Sequence, residues 1–289
     1  MPDAPLQIHE PEALPIPLVL DSPHSGTVAA TFVEPAAPAE ALRTTCDAFV
    51  DELYASAPRH GATLIAATFP RWMIDANRAR DDIDLDLIDG AWPYPVKPTG
   101  KTRSGMGLLR RLALPGVPMY ARKFTVAEVE TLLRDYYDPY HAAVKRALDA
   151  LHARFGAVWH IDCHSMKSRG NEMNDDPGKP RPDFVVSDRA GTTAGDGFTE
   201  HIAALLRAFG YEVGINDPYQ GAELIRAYGK PAENRHSVQI EINRRLYIDE
   251  EAVVMHDGFN PLARDLDRLV AQVGTFIHSQ LASHAGEPR

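Results

Sequence analysis

Residues 158–166 read VWHIDCHSM. The stretch opens as a buried β-strand on Val158, Trp159 and Ile161 and closes on Asp162, Cys163, His164 and Ser165. A short apolar run bounded by polar residues reads as a core strand, here over 157–163. The imidazole at its end is either a histidine satisfied by hydrogen bonds, or a metal ligand or catalytic base. Upstream, residues 125–155 carry Val129, Leu132, Leu133, Tyr136, Tyr140, Val144 and Leu148 at helical spacing. Thr125 and Glu128 suit a capping box, and Pro139 is expected to kink or divide that helix. Downstream come a strand at DFVVSD, a helix at 197–209, a strand near YEVGI, a strand at 237–242 (SVQIEI) and a helical tail over about 257–278.

The N-terminal part continues the alternation. Residues 16–21 read as a strand stopped by Pro23 and Gly26, and 39–58 as a helix on Leu42, Cys46, Phe49, Val50 and Leu53. ATLIAATF and RWMIDANR then read as strands or as one strand and its continuation. Strands alternating with helices predict an α/β fold: a three-layer sandwich whose mixed, mostly parallel sheet is covered on both faces. One domain over 1–289 is expected, with the Pro-rich residues 1–15 lying over its surface. Two Gly/Pro-rich stretches, 85–122 and 167–182, are long enough to be binding loops or lids, with disorder the alternative for the second.

The chain has 289 residues, 44% hydrophobic and 24% charged, which is ordinary for a soluble globular protein. A net charge of −10 makes nucleic acid and anionic membranes poor partners. A small anionic substrate then requires a local pocket of arginine. The only cysteines are Cys46 and Cys163, so no disulfide framework is evident and a reducing compartment fits. The first residues lack the basic-then-apolar pattern of a secretory signal, and no apolar run reaches the roughly 20 residues needed to cross a bilayer. A cytoplasmic protein is expected.

Polar residues end three apolar strands: His24 after PLVLDSP, His164 after VWHIDC, and Glu241 near the end of SVQIE. Ligands of open α/β sheets bind at the carboxyl ends of strands, so these three can converge on one pocket. Two His and an acid form a three-ligand zinc set with a position left for water. Asp47 and Asp51, spaced i and i+4, would share one face of the 39–58 helix, and either can be that acid; both can equally be solvated helix surface. RWMIDANR adds Arg71, Asp75, Asn77 and Arg78; the planar forks of the two arginines suit a carboxylate, Asn77 can donate beside them, and Arg226, Arg244 and Arg245 are further cations.

Taken in order, DSPHSG, CDAFVDELY, RWMIDANR, YYDPYH, DCHSM and YGKPAENRHSVQIEINRRLYID resemble the N-formylglutamate amidohydrolase (N-formylglutamate deformylase) family over roughly residues 16–250. The resemblance implies a phosphorylase/hydrolase-like fold similar to the zinc carboxypeptidases. It also implies zinc-dependent hydrolysis of N-formyl-L-glutamate to formate and L-glutamate in histidine degradation. By the same resemblance His24, Asp47 and His164 are metal ligands, with Asp51 the alternative acid. Glu241 is the catalytic carboxylate, and Arg71 lies beside the scissile carbonyl. Asn77 and Arg78 hold one substrate carboxylate, and Arg244 or Arg226 is the expected cation for the second. Asp162, two residues from His164 in an extended strand, can orient the imidazole. Where many members read Asp-Trp-His this chain has Asp47, Ala48 and Phe49, and Thr27 stands where the aspartoacylase pattern has Glu. Three rival readings remain: another acyl-amino acid hydrolase or carboxypeptidase-like enzyme, a serine hydrolase using Ser25 or Ser165, and a non-enzymatic sensor of an acidic metabolite. No G-x-S-x-G elbow supports the serine.

Overall fold

Val158–Met166 is the middle strand of a seven-stranded sheet in the computed structural model, which describes residues 4–195 and 197–286. The strands are β1 (Leu6–His9), β2 (Leu18–Ser22), β3 (Thr63–Ala67), β4 (Val158–Met166), β5 (Phe184–Ser187), β6 (Val213–Ile215) and β7 (Arg235–Asn243). Their order across the sheet is β1-β3-β2-β4-β7-β5-β6. β3, β2, β4 and β7 run parallel; β1 joins β3 and β5 joins β7 antiparallel, and β6 runs parallel to β5. The expected mixed α/β sheet is therefore present. From β2 the chain passes to β3 on one side and later to β4 on the other. Such a reversal opens a crevice at the carboxyl ends of the strands.

The helices about the sheet are α1 (Ala39–Thr45), α2 (Val50–Leu53), α3 (Val126–Leu132), α4 (Asp138–Phe155), α5 (Phe198–Ala208), α6 (Glu223–Tyr228) and α7 (Phe259–Gly286). Side chains alternate across β4, so its two faces differ in chemistry. Trp159, Ile161 and Cys163 join Leu18, Leu20, Val238 and Ile240 in a core closed by α2, α5 and α7. The opposite face carries His160, Asp162 and His164, paired across the sheet with Ser237, Gln239 and Glu241 of β7. Beneath it a second core gathers residues of the 69–76 segment with Val129 and Leu132 of α3 and Tyr140, Val144 and Leu148 of α4. One face of the central strands is thus an ordinary apolar core, and the other is a buried polar surface.

Four local readings change. The 39–58 helix is broken: α1 stops at Thr45, Cys46 is extended, Phe49 takes a left-handed φ of 64°, and α2 starts only at Val50. Asp47 therefore sits in the break rather than beside Asp51 on a helix face. Its N–H donates to the His24 carbonyl at 3.0 Å, and its own carbonyl accepts from Ser25 Oγ at 3.0 Å. RWMIDANR is a series of turns, not a strand. β4 runs on to Met166, which places His164 inside the strand. Residues 6–9 do lie at the surface but form a regular element there, the largely exposed edge strand β1.

Other readings hold. Thr125 and Glu128 form the capping box of α3. The long helical run departs from α geometry at Leu133–Tyr137, a π turn just ahead of Pro139, whose ring and missing N–H cannot complete the α-helical ladder there. Gly26 is dictated by contact: a Cβ there would stand 2.2 Å from the Thr68 carbonyl carbon. That close approach locks the segment carrying His24 against the chain leaving β3.

Candidate active site

Each site residue lies at or just beyond the carboxyl end of a parallel strand. His24 follows β2, Arg71 to Arg78 follow β3, and His164 and Glu241 each lie two residues before the ends of β4 and β7. Asp47 is brought in by the break between α1 and α2. Ligand atoms of His24, Asp47 and His164 all lie within 4.8 Å of one another, and all three residues are buried. Asp47 Oδ2 is 2.8 Å from His164 Nδ1 and 3.3 Å from His24 Nδ1, and the two Nδ1 atoms are 3.1 Å apart. Asp51 is half-buried and lies outside this set.

Three donor atoms this close cannot all be satisfied by one another. His24 Nε2 is 2.7 Å from Asp75 Oδ1, so that nitrogen holds the ring proton and Nδ1 presents a lone pair. His164 Nε2 stands 2.7 Å from Asn77 Nδ2 and 2.7 Å from Asp162 Oδ1, an oxygen without a hydrogen-bond partner among the described residues; a cation on Nδ1 would leave the ring proton on Nε2, beside that carboxylate. Ligands about 2.0–2.2 Å from one tetrahedral ion stand roughly 3.3–3.6 Å apart, close to the spacing here. Two imidazoles and one carboxylate, each backed by a further acid or cation, are the donor set of a hydrolytic divalent-metal site. The residues fit Zn²⁺.

The charges around this point are arranged in layers. Arg244 donates to Asp47 Oδ1 at 2.9 Å, to Ser165 Oγ at 3.0 Å and to the Thr44 carbonyl at 2.8 Å, which fixes the second oxygen of the acidic ligand. Arg71 grips Asp75 Oδ2 at 2.7 and 3.1 Å and comes within 3.7 Å of Asp47 Oδ1. Burial opposes ionisation of Asp47 and Asp75, but the imidazole contacts and Arg71 outweigh it and hold both carboxyls well below the usual range. Burial also opposes charging of His164, yet Asp162 and Asp47 lift its imidazole well above the ordinary histidine range. Glu241 behaves oppositely. Burial, with the Asp47 charge adding to it, raises its carboxyl above the usual range against the pull of His164 and Arg71.

All of this opens into a cavity of about 890 Å³. Both Gly/Pro-rich stretches border it, through Lys97, Met106 and Arg110 on one side and Lys167, Asn171 and Arg181 on the other. Residues 167–182 are folded back on themselves, with Arg181 bidentate on Asp176 at 2.7 and 2.7 Å.

The sequence candidates are distributed unevenly within this site. Asn77 is buried beneath it: Nδ2 donates to Asp162 Oδ2 at 2.7 Å, and Oδ1 accepts from the Leu224 N–H at 2.8 Å. Arg78 lines the cavity, donating to the Met106 and Asn77 carbonyls at 3.0 and 2.9 Å. The Tyr137 hydroxyl donates to the Arg78 carbonyl, and His141 bonds the Ala76 carbonyl, so α4 and the π turn pin this segment. Arg226 lies at the outer edge, bidentate on Glu223 at 2.6 and 2.6 Å. Arg245 faces away, onto Asp183.

The sequence model of the N-formylglutamate amidohydrolase family matches residues 16–248, four-fifths of the chain. The chain belongs to that family. N-formylglutamate deformylases of Pseudomonas aeruginosa and Pseudomonas putida are 30% and 29% identical to it over 241 and 239 residues. Those alignments cover 82% and 81% of this chain and 84% and 83% of the relatives. The crystal structure of N-formylglutamate amidohydrolase from Ralstonia eutropha JMP134 superposes with a TM-score of 0.92 at 44% identity, covering 96% of this chain and 99% of that one. The N-formylglutamate amidohydrolases are hydrolases acting on an amide, so the buried polar face is that of an enzyme.

Within this amidohydrolase, Asp75 and His160 had no role assigned from sequence. Asp75 stands inside RWMIDANR, but no local pattern links it to His24, 51 residues earlier. Asp75→Asn is expected to weaken cation affinity about 10- to 100-fold, because His24 loses the acid that holds its tautomer. Competition with a chromogenic chelator measures this, and an unchanged affinity removes Asp75 from the support of the site. His160 bonds Asp21 Oδ1 and Ser237 Oγ, both at 2.7 Å, a Ser-His-Asp array sealed in the sheet. It is buried and does not line the active-site cavity, so it serves structure rather than nucleophilic attack there.

Proposed function

We propose that this amidohydrolase is a zinc enzyme that cleaves N-formyl-L-glutamate to formate and L-glutamate. The physiological setting we assign is histidine degradation in the cytoplasm. The fold is read as zinc carboxypeptidase-like, with residues 1–289 as one domain. The observation that carries the proposal is the convergence of His24 Nδ1, His164 Nδ1 and Asp47 Oδ2, with Glu241 on the neighbouring strand in register with His164.

A divalent ion held by His24, Asp47 and His164 would polarise the formyl carbonyl and acidify water at the site. Glu241 takes the proton from the attacking water and passes it to the leaving amine nitrogen, so one carboxylate serves as base and then as acid. Its pKa, raised by burial above the usual carboxylate range, makes it a better proton acceptor than a solvated carboxylate. Gln239 Nε2 donates to Glu241 Oε1 at 2.8 Å and steers the other oxygen. Arg71, anchored on Asp75, adds positive charge where the carbonyl oxygen becomes anionic; one such donor is worth roughly 3–4 kcal/mol of barrier. Arg78 meets the α-carboxylate with the N–H groups its two carbonyl partners leave free. Asn77 supports it through its own carbonyl. Arg244 and Arg226 are the sequence candidates for the second carboxylate, and both are already engaged by acids of the chain.

Purified protein is expected to contain about one zinc per chain and to release formate from N-formyl-L-glutamate, with chelation abolishing the activity. Release of formate that is indifferent to chelation would sink the metal reading. Absence of formate from zinc-replete protein would sink the substrate.

A further inference from the structure

A substrate with two carboxylates needs two cations, and the cations around the cavity can be sorted by whether the chain already neutralises them. Arg71, Arg181, Arg226 and Arg244 each pair with a carboxylate within 3.0 Å. Lys101 pairs in the same way with Asp175, and Lys97 stands 3.5 Å from Asp81. Among the described residues Arg78, Lys167 and Arg189 form no such pair, but Lys167 and Arg189 are only half-buried, and Arg78 is already matched to the α-carboxylate. Arg110 is the case that calls for a reason. It is 7% exposed and lines the cavity, its guanidinium forms no ion pair among the described residues, and its buried Nε has no hydrogen-bond partner. Burying a guanidinium without a counter-charge is costly, and such costs are retained where a ligand repays them.

Its placement is built rather than incidental. Leu108 and Leu109 on one side and Ala113 on the other are buried in the second core. The Leu108 carbonyl accepts from the Asp75 N–H at 2.9 Å, tying this segment to the one that carries Arg71 and Arg78. The next residue, Arg111, turns outward to Asp84 and Asp86. Burial, and then repulsion from Arg71, push the Arg110 pKa down to about 9, so at neutral pH it is still a cation. Asp75, the acid acting on it, is already held by Arg71 and His24.

We infer that Arg110 is the specificity residue that receives the second carboxylate of the substrate, the one on its side chain, through the planar fork of its guanidinium. The inference rests on the formylglutamate reading above and deepens it. No covalent step is involved; the residue selects a dicarboxylate over its monocarboxylate analogues.

The test compares N-formyl-L-glutamate with N-formyl-L-glutamine, which differs only in having an amide at the side-chain terminus, in the parent and in Arg110→Gln and Arg110→Lys. Removing a desolvated charge partner should lower kcat/KM for N-formyl-L-glutamate about 100- to 1,000-fold. The rate with N-formyl-L-glutamine should change by less than about threefold, because the amide never had that partner. Arg110→Lys should fall between, keeping charge without the fork. The melting temperature of Arg110→Gln should not drop, since no internal partner is lost; a structural arginine would behave oppositely. If Arg110→Gln keeps the parental preference for the dicarboxylate, the assignment is wrong. If the parent releases no formate from either compound, the formylglutamate reading has failed, and calorimetry with glutarate decides Arg110 separately. Glutarate binding that the parent shows and Arg110→Gln loses supports the residue as a carboxylate receptor. Equal binding, or none in the parent, overturns it.

Discussion

Replacing Asp47 by Ala is expected to strip the protein of its cation and reduce formate release to the background rate. Three protein ligands are few for a hydrolytic metal, so losing the single anionic one removes both a bond and the charge that offsets the ion. The damage extends further here. Asp47 Oδ1 also holds Arg244, and Arg71 lies 3.7 Å from it. Without the carboxylate, the buried Arg244 and the half-buried Arg71 face the cavity with less to neutralise them, and they repel the cation that must enter. Metal analysis after dialysis should give well under one ion per chain, where the parent keeps about one. The same reasoning fixes the sign of the pH dependence of loading. Asp162 and Asp47 raise the pKa of His164 in the cation-free protein, so below that pKa a proton occupies the imidazole and must leave when the ion binds. Apparent affinity therefore falls as pH is lowered, by about tenfold per unit for one displaced proton. Full zinc retention by Asp47→Ala would remove Asp47 from the ligand set.

The residues that were legible in the sequence are those whose chemistry clashed with their surroundings. His164 and Glu241 stand out because each interrupts an apolar strand, and His24 because it follows one directly. The period of two in β4 also carried Asp162, and by the same count His160, onto the face of His164. What the sequence hid was the chain path between elements. Leu42, Cys46, Phe49, Val50 and Leu53 repeat like a helix, yet the chain breaks at Cys46–Phe49 to deliver Asp47 to the site. Phe49 bears a left-handed φ of 64°, a conformation unfavourable for a bulky side chain. Local propensity gave way there to the contacts of Asp47 with two histidines and Arg244. RWMIDANR misled in the same manner, since Trp72, Met73 and Ile74 are buried like strand residues but pack from a series of turns. Arg110 was invisible for a different reason: it sits beside Arg111 in an aperiodic loop, and only the fold separates the inward arginine from the outward one.

Glu241→Gln is expected to keep the cation and lose turnover by roughly 10³- to 10⁴-fold, the upper part of the range for a positioned proton-transfer group. Glu241 is not one of the three donors, so metal content should match the parent. It is 8% exposed, and Gln239 Nε2 can still donate to the amide oxygen of a glutamine, so the fold has no reason to move. The variant keeps shape and polarity and loses the ability to accept a proton. KM should change little, because a neutral isostere neither adds nor removes a clamp on the substrate carboxylates. The pH profile separates this role from a merely electrostatic one. Burial and the nearby Asp47 charge raise the pKa of Glu241, and the base is competent only when ionised. Activity of the parent should thus decline as pH falls through that raised value, and in Glu241→Gln the residual rate should lose this acidic limb. A variant with parental kcat, or one that keeps the same limb, would assign proton transfer to another group and leave Glu241 as a wall of the cavity.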